Sequence, residues 1–382
     1  MTSKQRVQAA FEHKISDHVP IYLGSISSRV ASRVLGREAY VGGAIQQYRE
    51  SLALWNGEEA HIEYLERSRI DALELGEKLD LDYVRPSYWR MNEKPASRVD
   101  EYTFLYGDPD AFYRVMRFEA ETELYNVIDE KSETKPQEPD DLEPVVEKME
   151  ERLKKYSPSR ESYTEIINAV EYFGEKRAVN GSGIFYMLPV YEPVWLMAIV
   201  LRPDLVHRYA KVMLERVLRN IEILRDIGTP YLHGGGDFAG NNGPYISKAD
   251  FEKFLLPGLK EISKACTQYG LYHLFASDGN LWPLAVALFG RSGVHGYYEI
   301  DCDCGMDLRR LRREYPRLTL LGGISSARLH MGTLEEAAAQ ARDAIEAAKE
   351  YGGIIAGCSN MVVPPTPHEN FMAMMETLHK FK

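Results

Sequence analysis

Residues 230–276 read PYLHGGGDFAGNNGPYISKADFEKFLLPGLKEISKACTQYGLYHLFA. Two short apolar and aromatic runs, Pro230–Gly235 and Leu271–Ala276, bracket a segment, Lys248–Tyr269, whose apolar residues recur at three- and four-residue spacing. That is a strand, a helix long enough to cross back, and a second strand, which is the unit of a parallel sheet. The same alternation extends outward. Candidate strands lie at His18–Gly24, Leu81–Val84, Ala178–Phe185, Val294–Glu299, Leu318–Gly323 and Gly353–Cys358. Amphipathic segments at Pro203–Arg225, Trp282–Leu288, Leu308–Glu314, Thr333–Glu350 and Pro367–His379 lie between or after them. Eight strands separated by helices imply right-handed crossovers and a closed (β/α)8 TIM barrel, with an open doubly wound sheet as the other α/β arrangement.

The first half is less regular. About sixty residues separate the first two strands and about ninety the next two, so both gaps hold structured insertions. The expected organisation is a single barrel domain over residues 1–382, with an N-terminal helical extension over 1–17 and an insertion at about 100–170. In that insertion KSETKPQEPDD reads as an exposed connector and VVEKMEERLKKY as a helix.

The chain has 382 residues with 46 Lys+Arg against 57 Asp+Glu, a net charge of −11, and 45% hydrophobic residues. An acidic balance argues against a surface built to neutralise phosphate backbones. Residues 1–10 are polar, and no stretch approaches the ~20 apolar residues of a membrane span. A cytoplasmic protein is expected, with no nucleic-acid or membrane partner. Cysteines at 266, 302, 304 and 358 are too few and too scattered for a disulfide framework. Cys302 and Cys304 form a C-x-C that no second such motif completes, so they are expected to be unliganded thiols.

In a barrel the functional face is the carboxyl end of the strands. There the fourth strand ends in His233-Gly-Gly-Gly-Asp237-Phe-Ala-Gly-Asn241, the fifth in Ser277-Asp278-Gly-Asn280, the sixth in Glu299 and the eighth in Cys358-Ser-Asn360. Carboxylates gathered at one mouth share a proton, bind a metal or hydrogen-bond an NH-rich ligand. The triple glycine lacks G-x-G-x-x-G spacing and does not open into a helix, which argues against a dinucleotide site. Which face of its strand His273 occupies is not fixed by the sequence.

Several stretches, in order, resemble the uroporphyrinogen decarboxylase superfamily. They are Arg6-Val-Gln-Ala-Ala-Phe-Glu-His-Lys-Ile-Ser-Asp-His-Val-Pro20, Asp237 to Ser247, Phe254-Leu-Leu-Pro257, Ser277-Asp-Gly-Asn280, Leu321-Gly-Gly-Ile, Gly332-Thr333 and Pro364-Pro-Thr-Pro-His-Glu-Asn370. The resemblance implies a (β/α)8 barrel and either tetrapyrrole decarboxylation or corrinoid-dependent methyl transfer. The decarboxylase binds a macrocycle with eight carboxylates through paired arginines after its first strand; here that stretch is Gly24-Ser-Ile-Ser-Ser-Arg29, with Arg33 and Arg85 as partial substitutes. Zinc-dependent methylcobalamin:thiol methyltransferases of the superfamily use a His-x-Cys-Gly that falls on Ala276 and Asp278, so its ligands are missing here. No metal is expected; were zinc bound, the available ligands would be His273, Glu299 and Cys358.

The branch that remains moves a methyl group between a corrinoid (methylcobalamin) protein and tetrahydrofolate, as in anaerobic demethylation. Asp237 and Asp278 are expected to hold the pterin and Glu299 to act as acid/base. Asn241, Asn280, Asn360, His233 and Arg29 complete the binding set. An aryl methyl ether substrate and a binding protein without chemistry are the other readings. The chain has no Asp-x-His-x-x-Gly signature, so the corrinoid is expected on a partner protein, and a homodimer is possible for a chain of this superfamily.

Overall fold

The computed structural model describes residues 1–86, 89–132 and 135–382. Residues 133 and 134 of the expected connector lie outside them. Six strands form a parallel sheet in the order Ile354–Cys358, Thr319–Ile324, Gly296–Tyr298, Tyr272–Ala276, Tyr231–Gly235 and Gly181–Phe185. Shorter pairings complete the ring. Tyr83–Val84 runs parallel to Ala178–Val179, the Asp82 amide donates to the Ile21 carbonyl at 3.0 Å, and Tyr22 and Ala356 exchange bonds across the seam through Tyr22 N to Ala356 O at 3.0 Å and Ala356 N to Pro20 O at 2.9 Å. All eight strand positions read from the sequence are occupied. The first is shorter than expected: pairing involves Ile21 and Tyr22, and the next residues, Ser25–Ile26, pair instead with Met361–Val362. Pro20 cannot donate to a ladder, which limits pairing at the start.

The helices also fall where the periodicity puts them: Pro203–Leu224, Leu308–Glu314, Leu334–Tyr351 and His368–Phe381. Asp307 and Thr333 cap two of them through their side chains, Thr333 in a capping box with Glu336. The helix after the fourth strand is interrupted by a π-turn at Phe251–Leu255. Pro257 lacks the amide that would continue the regular ladder there.

Side chains alternate across each strand, so the barrel has two cores. One lies between strands and helices. The other fills the lumen with Tyr22, Tyr83, Tyr231, Leu274, Tyr298 and Ile355, closed at the amino end by Val7, Ala10 and Phe11 of the helix Ser3–Phe11. Phe11 sits 4.9 Å from the Tyr231 ring and 4.6 Å from Tyr272. Removing that plug opens a cavity under the whole barrel, so Phe11→Ala is expected to cost about 3–5 kcal/mol in urea unfolding.

The second insertion departs from expectation. Ahead of the helix Leu142–Lys155 stands an antiparallel sheet of Ser97–Arg98, Thr103–Gly107, Tyr113–Glu119 and Leu124–Lys131. Its inner face, Phe104, Tyr106, Met116, Phe118 and Tyr125, packs on Ala44 and Ile45. The alternating pattern of RVMRFE carried that signal, masked by a neighbourhood of high charge. No helix among the described residues is long and apolar enough to cross a membrane.

Candidate functional site

The carboxyl ends of strands four, five, six and eight meet as a mouth. Gly235 has φ +134°, and a Cβ there would lie 2.5 Å from the Ala276 carbonyl oxygen. Its lack of a side chain lets the fourth and fifth strands approach, which accounts for part of the glycine run. The two following loops are tied together: the Asp278 amide donates to Asp237 Oδ1 at 3.3 Å and the Phe238 amide to Ser277 Oγ at 3.1 Å. From the eighth strand, Asn360 Nδ2 donates to both oxygens of Asp278 at 3.0 and 3.1 Å. Asn360 is itself oriented, since its Oδ1 accepts the Met361 amide at 2.6 Å. Burial, then the Asp237 charge, raise the Asp278 pKa, and the Asn360 bond opposes them.

Glu299 follows the sixth strand with φ +62°, a conformation few residues other than glycine adopt. Burial, reinforced by Asp278 and Asp237 and opposed by the Arg85 guanidinium, pushes its carboxyl up to about 8. Beneath the mouth, His233 lies in the lumen with Nε2 2.8 Å from the Tyr83 hydroxyl and its ring 4.2 Å from that of Tyr298. Burial holds its pKa well below the ordinary value, so the imidazole is neutral. Tyr298 donates to the Gly234 carbonyl at 2.7 Å, and Asn180 donates to the Tyr22 hydroxyl at 3.1 Å.

The structure brings Asp237, Asp278, Glu299 and Asn360 together with His233 below them. Asn241 and Asn280 stand at the same end but are engaged locally: Asn241 Oδ1 accepts the Cys304 thiol at 3.4 Å, and Asn280 Oδ1 accepts the Trp282 amide at 3.1 Å. Arg29 is turned to the insertion, its guanidinium donating to the Ala120 carbonyl at 2.9 Å while the Ser28 and Arg29 amides donate to Glu123.

The alternative zinc set needs correction. His273 Nδ1 lies 2.9 Å from Ser263 Oγ on the helix side of the wall, and Cys358 packs in the outer core. Strand alternation points both away from the mouth that Glu299 occupies. No group of three or more His, Cys, Asp or Glu able to hold a metal ion occurs among the described residues. Cys302 and Cys304 are free, and burial pushes both thiols up to about 12.

Two site residues were not chosen from the sequence as principal ones. Arg85, the first residue past the second strand, donates to the Gly24 carbonyl at 2.8 Å and lies in the field of Glu299; the strand-end rule applied to the second strand would have found it. Asp301 accepts the Gly279 amide at 3.1 Å through one oxygen and the Cys304 amide at 3.1 Å through the other, holding the fifth- and sixth-strand loops in register. Its only sequence signal was its place two residues beyond Glu299.

Residues 193–381 match the uroporphyrinogen decarboxylase (URO-D) family. Two curated relatives named uroporphyrinogen decarboxylase are similar over part of the chain. The one from Anaeromyxobacter sp. (strain Fw109-5) is 27% identical over 139 residues, and the one from Anaeromyxobacter dehalogenans (strain 2CP-C) is 26% identical over 136. Each match spans 36% of this chain and 38% of the relative. A solved structure described as a methyltransferase from Methanosarcina mazei superposes over 100% of this chain and 99% of its own with a TM-score of 0.64 at 16% identity, a likeness of fold. Over residues 193–381 this chain is therefore similar to the uroporphyrinogen decarboxylase family, on a barrel fold like that of the methyltransferase structure.

Proposed function

We propose that the chain is a cytoplasmic methyltransferase of this superfamily that moves a methyl group between a corrinoid (methylcobalamin) protein and tetrahydrofolate. The observation that carries the reading is the gathering at the mouth of Asp278, held by both oxygens on Asn360, with Glu299, whose carboxyl is pushed up to about 8 by burial and by the neighbouring Asp278 and Asp237. Asp278 accepts from adjacent N–H groups of the pterin, Asp237 borders the same pocket, and Asn360 positions Asp278. The corrinoid supplies or takes the methyl group. Glu299 accepts the N5 proton when the methyl arrives and returns it when the methyl leaves. The lumen tyrosines and His233 close the floor of the pocket against water.

The curated relatives suggest a second reading, decarboxylation of a polycarboxylate tetrapyrrole. Asp237, Asp278, Glu299 and Asp301 make the mouth acidic, and Arg29 is engaged with the insertion, so further carboxylates would be poorly compensated there.

The test is anaerobic incubation with methylcob(III)alamin and tetrahydrofolate, with methyl-tetrahydrofolate detected by mass spectrometry. Enzyme-dependent product is expected, with at least a hundred-fold loss in Asp278→Ala. No product from a folded chain overturns the reading. Carboxylate loss from uroporphyrinogen would then favour the second, and stoichiometric zinc would favour thiol methylation with ligands other than His273 and Cys358.

A further inference from the structure

At the end of the barrel opposite the mouth, the loop that joins the helix Ser3–Phe11 to the first strand faces the turn between the helix Leu334–Tyr351 and the eighth strand, and a cavity of about 260 Å³ lies between them. On a chain of net charge −11, this cavity is lined by four groups able to carry positive charge, His13, Lys14, His18 and Lys349, against two acids, Asp17 and Glu350. Both acids are already committed, Asp17 to Arg6 and to the Met1 ammonium, each at 2.7 Å, and Glu350 to Arg309 at 3.5 Å. Lys14 is held by Glu12 at 2.5 Å, whereas Lys349 has no ion pair among the described residues.

Behind the cavity wall stands a buried cation. Arg312 is 5% exposed; its Nη1 donates to the Pro316 and Leu318 carbonyls at 3.1 and 2.5 Å, its Nη2 reaches the Tyr351 carbonyl at 3.4 Å, and its Nε has no partner among the described residues. Burial lowers its pKa and no carboxylate offsets that. A guanidinium so deeply buried normally has an anion against it. Gly353, which lines the cavity, leaves a gap in front of it: a Cβ there would lie 2.8 Å from Arg312 Nη2 and 2.7 Å from His13 Nδ1. The other nitrogen of His13 donates to the Arg317 carbonyl at 3.0 Å, so Nδ1 is the one left for a ligand. We propose that this cavity binds a small phosphate-bearing molecule, with the phosphate beside Gly353 facing Arg312 and His13 and with Lys349 as a further counter-charge. The planar guanidinium matches two phosphate oxygens. A hydrogen phosphate donates its hydroxyl to a neutral His13, and the ionised form accepts from a protonated one. The apolar part of the lining, Ala10, Val19 and Ile354, suits a short carbon chain on the phosphate. Such a ligand bridges the loop after the plugging helix to the start of the eighth strand, and so ties the plug to the ring.

Isothermal titration calorimetry of the full chain with glycerol 1-phosphate and, separately, inorganic phosphate, at constant ionic strength in chloride, tests this. Saturable binding of one equivalent is expected, with a Kd of about 1 mM or tighter, and the bound ligand should raise the melting temperature. Lys349→Glu, an exchange at an exposed position, should weaken binding by about tenfold or more. Gly353→Ala fills the gap and should abolish it, while Gly352→Ala, at a similar positive φ but with open space around the added Cβ, should bind as the wild type does. Melting curves without ligand establish that each variant is folded. Tighter binding of glycerol 1-phosphate assigns the site to phosphomonoesters, and tighter binding of inorganic phosphate to the free ion. No saturable heat from either compound overturns the proposal. So does an affinity that is unchanged in both Lys349→Glu and Gly353→Ala, which would put the phosphate elsewhere on the chain.

Discussion

E299Q is expected to lose roughly 10²–10⁴-fold in methyl transfer, the usual contribution of a positioned acid or base, while keeping its fold. The pH dependence makes this specific. Because burial and the neighbouring Asp278 and Asp237 push Glu299 up to about 8, its base form accumulates as pH rises through that value. Methylation of tetrahydrofolate should therefore rise across pH 7 to 9, and the reverse reaction, which draws on the acid form, should fall over the same interval; E299Q should flatten both limbs. Initial rates in each direction check this, and identical wild-type and E299Q profiles would remove Glu299 from the chemistry.

The same group gives a stability signature that is independent of any assay of activity. A carboxyl whose folded value is raised above its ordinary 4.5 stabilises the fold fully only below that ordinary value, and the contribution is lost as pH rises through about 8. Glutamine does not titrate. The melting temperature of E299Q should therefore gain on the wild type between pH 5 and 9, and a constant difference would show that Glu299 is better solvated than its position at the mouth implies.

G357A is expected to have the largest effect on folding. A Cβ at Gly357 would lie 1.7 Å from the carbonyl oxygen of Tyr22 and 2.8 Å from its carbon. Both are backbone atoms of the first strand, which has only a few ladder bonds to the eighth, so relief requires opening the seam that closes the ring. A loss of about 3–5 kcal/mol, or failure to accumulate as soluble protein, follows. Gly352 is the control: it has φ +62° but nothing within 4 Å of an added Cβ, so G352A should cost only about 1 kcal/mol. Urea midpoints of the two variants decide the comparison, and equal costs would show that the seam yields easily.

Much of the architecture was legible in the sequence because it is local. Strand and helix periods, the caps at Asp307 and Thr333, and the chain order of eight strands depend on near neighbours, and the barrel rule then assigns Asp237, Asp278, Glu299 and Asn360 to one end without knowledge of any contact. What the sequence left open depended on distant burial. Two-residue alternation allowed His273 either face, and the packing of Ser263 chose the outer one. The charges around RVMRFE concealed a sheet whose inner face appears only when Ala44 and Ile45 lie against it. Arg29 looked available until Glu123, ninety-four residues away, folded onto the helix that carries it. The titration of Glu299 was the least legible feature, since its side chain is ordinary in sequence and its environment is set by carboxylates from two other strands and an arginine from a third, brought within reach only when the ring closes.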